Sequence, residues 1–196
     1  VYLRTSGQFT IQNPHIKTDL SNLPDTNVAK LSLDLSLNNF SDAEQNGKLK
    51  ITISPENFKG TSITVEQSIS IHANSSSEIS LTPENIKQFT IQKPHLWWPN
   101  GYGNANLYRI HLQYENGTKV SDDTSFVFGI RTVSSKIVMV GKWARRDFYV
   151  NGQRVHLTGG AWVPDMMLNR DSLRYDYELH LCKNSNINLV RIWGGG

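Results

Sequence analysis

Between Lys30 and Asn39 leucine occupies every second position: Leu31, Leu33, Leu35 and Leu37 alternate with Ser32, Asp34, Ser36 and Asn38. Side chains of a strand point to opposite faces in turn, so this pattern is that of a strand with one buried and one wet face. Similar runs follow at short spacing: Leu49-Ile51-Ile53, Ile63-Val65, Ile69-Ile71, Ile79-Leu81, Phe89-Ile91, Leu107 to Tyr114 and Phe126-Phe128. Turn material separates them at Asn46-Gly47, Lys59-Gly60, Asn74 to Ser77 and Asn116-Gly117. About seven short strands over roughly 105 residues is the count of an immunoglobulin-like β-sandwich. That domain is expected over residues 20–133.

The flanking segments read differently. Residues 1–19 carry Tyr2-Leu3, a Ser6-Gly7 turn, Phe9 and Ile11 in alternation, and Pro14. They predict one or two strands with no partner in sequence, finishing a preceding β-domain. After Arg131-Thr132-Val133 the pattern changes. Phe148-Tyr149-Val150 with Asn151-Gly152 predicts a strand and hairpin turn, and Arg154 to Gly160 a second short strand. Tyr175, Leu179 and Cys182 recur at i, i+4 and i+7, which predicts a helix over 172–185. Asn188 to Trp193 has the make-up of a buried parallel strand delivering Arg191 and Trp193 to the run Gly194-Gly195-Gly196. Strand, helix, strand over about 40 residues is a βαβ unit with a right-handed crossover. One such unit cannot cover both faces of its own strands. The chain therefore reads as a piece of a larger protein, its sheet or barrel completed from elsewhere.

Composition narrows the partners. The net charge of +3 is spread without a basic block, and Arg145-Arg146 reads as a solvated loop, so nucleic acid is not expected. No run approaches the roughly 18 apolar residues of a membrane span. The single cysteine, Cys182, excludes an internal disulfide. Val1 is not an initiator methionine and no charged, apolar leader follows it, so the start is expected to be a cut with any targeting signal upstream. Sequons begin at Asn39, Asn74 and Asn116. About two would arise by chance in a chain this rich in Asn and Ser, so they lean only slightly toward a vacuolar or secretory route.

HExxH, CxxC, Walker and GxGxxG patterns are absent, so neither a metal nor a nucleotide cofactor is expected. Glu44, Glu56, Glu66, Glu78, Glu84 and Glu115 fall in the sandwich region and are expected to face solvent. Glu178 sits on the helix, away from strand ends. None suits a general acid. The residues placed to face a site are Trp162 and Asp165, just after the first strand of the βαβ unit, and Arg191 and Trp193, at the end of the second. Ends of neighbouring barrel strands converge on one mouth, and a saccharide pocket needs aromatic faces with charged groups that fix hydroxyls. The plainer alternatives are that Asp165 caps a turn and Trp162 is core. Trp97 and Trp98 could form a sugar-stacking platform. Prolines on both sides and glycines behind favour a rigid crossover instead, packed on the sandwich edge or a neighbouring domain.

Several words in order carry a resemblance: Leu96-Trp97-Trp98-Pro99-Asn100-Gly101-Tyr102-Gly103, Phe128-Gly129-Ile130-Arg131, Phe148-Tyr149-Val150-Asn151-Gly152, Gly159-Gly160-Ala161-Trp162-Val163-Pro164 and Asn188 to Gly196. Together they resemble glycoside hydrolase family 2, and Arg191-Ile192-Trp193-Gly194-Gly195-Gly196 is similar to its β-mannosidase branch. The resemblance implies a mostly β chain: an immunoglobulin-like β-sandwich followed by the first βαβ portion of a (β/α)8 TIM barrel. Residues 1–19 would end a jelly-roll sugar-binding domain, 20–133 form the sandwich and 134–196 open the barrel. It also implies the retaining mechanism, with two glutamates about 5–5.5 Å apart. Both would lie on later barrel strands, on another chain, so that no catalytic carboxylate is here. Arg191 would hydrogen-bond the nucleophilic carboxylate and Trp193 border the sugar. Where this chain has Gly160-Ala161-Trp162, related sequences often have Gly-Asn-Trp. The implied substrate is the mannosyl-β-1,4-N-acetylglucosamine bond of N-glycans. The implied partners are companion chains completing the jelly roll and the barrel, as in a hetero-oligomer of three chains from one precursor. Rival expectations are another exo-glycosidase of the family (β-mannosidase, β-galactosidase or β-glucuronidase) and a non-catalytic carbohydrate-binding sandwich.

Overall fold

The computed structural model describes residues 5–117, 119–163 and 171–193. The chain divides into two bodies, one made of Val1–Leu96 with Asn106–Arg131, the other of Trp97–Ala105 with Thr132–Gly196.

The first body is an antiparallel β-sandwich. One sheet holds β1 (Phe9–Asp19), β2 (Val28–Asn39) and β5 (Ser75–Leu81) in the order β1-β2-β5, with the short β6 (Thr90–Gln92) also on β2. The other holds β3 (Gln45–Pro55), β4 (Ile63–Ile71), β7 (Tyr108–Asn116) and β8 (Lys119–Phe128) in the order β4-β3-β7-β8. The leucine ladder does what its period requires: Leu31, Leu33, Leu35 and Leu37 are all buried, as are Leu49, Ile51 and Ile53 of β3 and Ile110, Leu112 and Tyr114 of β7. Each such side chain contributes about 1.5–3 kcal/mol on leaving water.

Residues 9–19, expected to end a preceding domain, form β1, antiparallel to β2 with Phe9 opposite Asn39 and Asp19 opposite Lys30. Phe9 and Ile11 explain the placement. Both are buried, the Phe9 ring stacks on Tyr114 at 4.8 Å, and the Ile11 N–H donates to the Asp122 carboxylate at 2.7 Å. The register shift between Gln12 and His15 absorbs Asn13, at φ 49, and Pro14. Asn46-Gly47 is not the expected turn. It lies inside β3, and a Cβ at Gly47 would fall on the Tyr114 ring, so glycine marks a close approach there. Asn116-Gly117 does turn the chain between β7 and β8, with Gly117 at φ 63.

The second body begins with a three-stranded antiparallel sheet, β9 (Val133–Val140), β10 (Trp143–Val150) and β11 (Gln153–Val155). Asn151 and Gly152 join the last two with φ of 50 and 78, the two left-handed positions a two-residue hairpin loop needs. Asp147 is buried on β10 between two guanidiniums: Arg145 Nε at 2.8 Å and Arg154 at 3.2 Å. Then follow β12 (Gly159–Trp162), α1 (Ser172–Asn184) and β13 (Leu189–Ile192). β12 and β13 are parallel. Among the described residues this is one βαβ unit, not a closed barrel.

Candidate functional site

The site is built at the C-terminal ends of the two parallel strands. Their register pairs Gly159 with Leu189, Ala161 with Arg191 and Trp162 with Ile192. Two features hold that register. A Cβ at Gly159 would fall on the Leu189 carbonyl, so the strands meet this closely only because the residue is glycine. Asn188 clips the strand entrances together: its Oδ1 accepts from the Thr158 N–H and its Nδ2 donates to the His156 carbonyl, both at 2.9 Å.

The crossover helix α1 starts at Asp171, whose carboxylate accepts from the Leu173 N–H at 3.0 Å, a standard N-cap. Past its end Asn186 takes φ 58, the left-handed turn that commonly terminates a helix. Asn100 donates to the carbonyls of Lys183 and Ile187 at 2.7 and 3.3 Å, satisfying groups a helix end leaves open. The rest of that loop is equally committed. The Trp97 carbonyl accepts from Asn151 Nδ2 at 3.0 Å, Trp98 packs on Gly103, and the Tyr102 hydroxyl accepts from the His156 N–H at 2.7 Å. Trp97 and Trp98 are half-buried. These contacts fit the scaffold reading of the tryptophan pair and leave little of a stacking platform.

The four predicted site residues separate. Trp162 donates from Nε1 to Glu178 of α1 at 2.8 Å and meets Tyr175 edge to face at 5.1 Å, so its ring is turned toward the helix. Side chains alternate along a strand. Ala161, and with it Arg191, therefore lies on the sheet face opposite Trp162. The Trp193 N–H donates to the Trp162 carbonyl at 3.1 Å and extends the ladder, which puts Trp193 on the same face as Arg191. Both are exposed. By this register Arg191 and Trp193 share a face, Trp162 lies on the other, and Asp165 lies outside the described residues, as do Gly194, Gly195 and Gly196. Glu178, set aside as a helix surface residue, is the partner that orients Trp162. Hydrogen bonds from Trp162 and then Arg174, at 3.0 Å, hold its carboxyl below the usual range. A carboxylate so held is no proton donor near neutrality. Among the described residues no group of three His, Cys, Asp or Glu gathers in a way that could hold a metal.

The sequons also part. Asn39 is 1% exposed and its amide donates to the carbonyls of Ala43, Ile71 and His72 at 2.9 to 3.1 Å. Both of its amide hydrogens are engaged in the folded chain. Asn74 is exposed and Asn116 half-buried.

Comparison with known proteins fits this geometry. A mannosylglycoprotein endo-beta-mannosidase of Lilium longiflorum is 37% identical over 126 residues, 61% of this chain and 13% of the relative. An exo-beta-D-glucosaminidase of Streptomyces avermitilis is 27% identical over 194 residues, 99% of this chain and 20% of the relative. The solved exo-chitosanase of Amycolatopsis orientalis superposes with a TM-score of 0.80 at 25% identity, covering 97% of this chain and 20% of that one. The chain thus spans 13% to 20% of the length of these curated relatives. Residues 9–131, the first body with the tryptophan loop inserted, match the family model described as glycosyl hydrolases family 2, and with more than half its length matched the chain belongs to that family.

Proposed function

We propose that this chain forms part of a retaining hydrolase of β-mannosidic bonds, acting on the mannosyl-β-1,4-N-acetylglucosamine linkage of N-glycans. Its second body opens a (β/α)8 barrel, and the two catalytic glutamates stand on barrel strands supplied by companion chains. The observation that carries this reading is the pairing of Arg191 and Trp193 on one face at the end of a strand in a parallel pair. An arginine there donates fixed hydrogen bonds to a carboxylate, keeping it ionised and aimed for attack on the anomeric carbon. An indole beside it offers an apolar face to a pyranose. The identity to the Lilium longiflorum enzyme supports the choice of sugar.

In the assembled enzyme Arg191→Ala should lower kcat by about 100-fold or more with a smaller change in KM. Turnover near the parent's would remove Arg191 from the site. Native mass measurement of the active species should find companion polypeptides, and activity from a lone 22.2 kDa chain would overturn the multi-chain arrangement.

A second reading is an exo-glucosaminidase, favoured by the match that runs through nearly the whole chain, including the strand of Arg191. Parallel assays on a mannosyl-β-1,4-N-acetylglucosamine glycopeptide and on chitosan oligosaccharides separate the two by which substrate is cleaved.

A further inference from the structure

The three asparagines that begin an Asn-X-Ser/Thr triplet use their amides differently. At Asn39 both Nδ2 hydrogens are committed, shared among three backbone carbonyls, while Oδ1 accepts from the Ser41 N–H and hydroxyl at 2.8 and 2.6 Å. A sugar there would remove one of those hydrogens and break a bond to a backbone carbonyl. Asn116 is half-buried, donates to Gln45 at 2.8 Å, and its triplet ends at Thr118, outside the described residues.

Asn74 is the opposite case. It stands exposed between β4 and β5 at φ 47, with its backbone N–H anchored on the Ser41 carbonyl at 3.0 Å. Its Nδ2 makes one hydrogen bond, to Asp42 at 3.0 Å. Beside it Phe40 is 63% exposed and contributes nothing to the sandwich core. Asn38, Asn39, Phe40, Asn74, Ser75 and Ser76 line a single open depression of about 270 Å³, large enough for part of one sugar ring.

We propose that Asn74 is an N-glycosylation site whose first sugar lies against the Phe40 ring. In the transfer, Asn74 Nδ2 attacks the anomeric carbon of a polyprenyl-diphosphate-linked oligosaccharide. The new N–C bond forms as the C–O bond to the diphosphate breaks; the amide gives up one proton to the oligosaccharide transferase, and the lipid diphosphate leaves. The hydrogen that stays on Nδ2 keeps the bond to Asp42. The apolar face of the sugar then covers Phe40, which explains a large aromatic side chain left in water. Asn39, buried and with both amide hydrogens engaged, serves as the internal control.

The test is secretion of the full chain from a eukaryotic host, followed by peptide mass spectrometry of the folded product. Glycan on Asn74 with an unmodified Asn39 is the expected result. Enzymatic removal of the glycan should lower Tm by about 2–4 °C in the parent and by much less in Phe40→Ala, an exposed substitution that leaves the core intact. An unmodified Asn74, or a glycan on Asn39 in the folded protein, overturns the proposal. Equal Tm losses with and without Phe40 would remove the ring from the site.

Discussion

Asn39 closes one end of the sandwich with a single side chain, tying the carbonyls of Ala43, Ile71 and His72 to the end of β2. Asn39→Ala should therefore cost about 1–3 kcal/mol for each carbonyl that stays buried without a donor, read as a shift in the denaturant midpoint. A loss below about 0.5 kcal/mol, the range of an ordinary surface change, would mean that water replaces the amide. Gly47 makes the complementary point. Adding one methyl at Gly47→Ala should cost about 1–3 kcal/mol by overpacking against Tyr114, and combining it with Tyr114→Leu should recover part of that loss in a double-mutant cycle. At this scale the sequence was legible where period alone decides. Arg191 and Trp193 share a face because they are two apart, and the same rule reads the leucines of β2. The orientation of Trp162 was not legible, because it depends on Glu178, sixteen positions later and brought near only by the crossover helix. Asn46-Gly47 misled because the dipeptide that most often marks a turn can equally mark a crowded strand.

Elements show where local signals stop. The Asn151-Gly152 hairpin and α1 were readable from local pattern: the Asn-Gly dipeptide for one, Tyr175, Leu179 and Cys182 at i, i+4 and i+7 for the other. β1 was readable as a strand but not as a partner of β2, since Asn13 and Pro14 interrupt its alternation and pairing is a long-range property. The β9-β10-β11 sheet carries a more local feature, the buried Asp147, whose partners Arg145 and Arg154 are two and seven positions away. Hydrogen bonds from Arg145, and then the charge of Arg154, hold its carboxyl below the ordinary range. A carboxyl whose folded pKa is depressed stabilises the fold above its unfolded pKa, about 3.9, and that contribution disappears as pH falls through the folded value. Acid titration should then show this sheet losing stability below about pH 4, while Asp147→Asn, less stable at neutral pH, should show a flatter acid limb. Coincident acid transitions in the two proteins would show that the guanidiniums contribute nothing through Asp147.

At the scale of the whole molecule the two bodies differ in how much apolar surface they bury. The first buries four leucines of β2, the inner faces of β3 and β7, and the rings of Phe9, Phe89 and Tyr114. In the second, Val150 and Val155 are buried, while Ile137, Met139, Trp143, Leu173, Tyr177 and Ile192 are exposed, and α1 has no buried residue. Local opening requires little free energy where few apolar contacts are broken. Hydrogen exchange on the chain by itself should accordingly find the amides of β2, β3 and β7 protected close to the limit of global unfolding. Those of α1, β12 and β13 should exchange orders of magnitude faster, despite their regular hydrogen bonds. If the proposed companion chains cover the exposed side chains, assembly should raise protection in α1, β12 and β13 and leave the sandwich strands unchanged. Protection already equal across both bodies in the single chain would show that the second body is stable by itself. The exposed isoleucines, leucine and tryptophan would then need an explanation other than a missing neighbour.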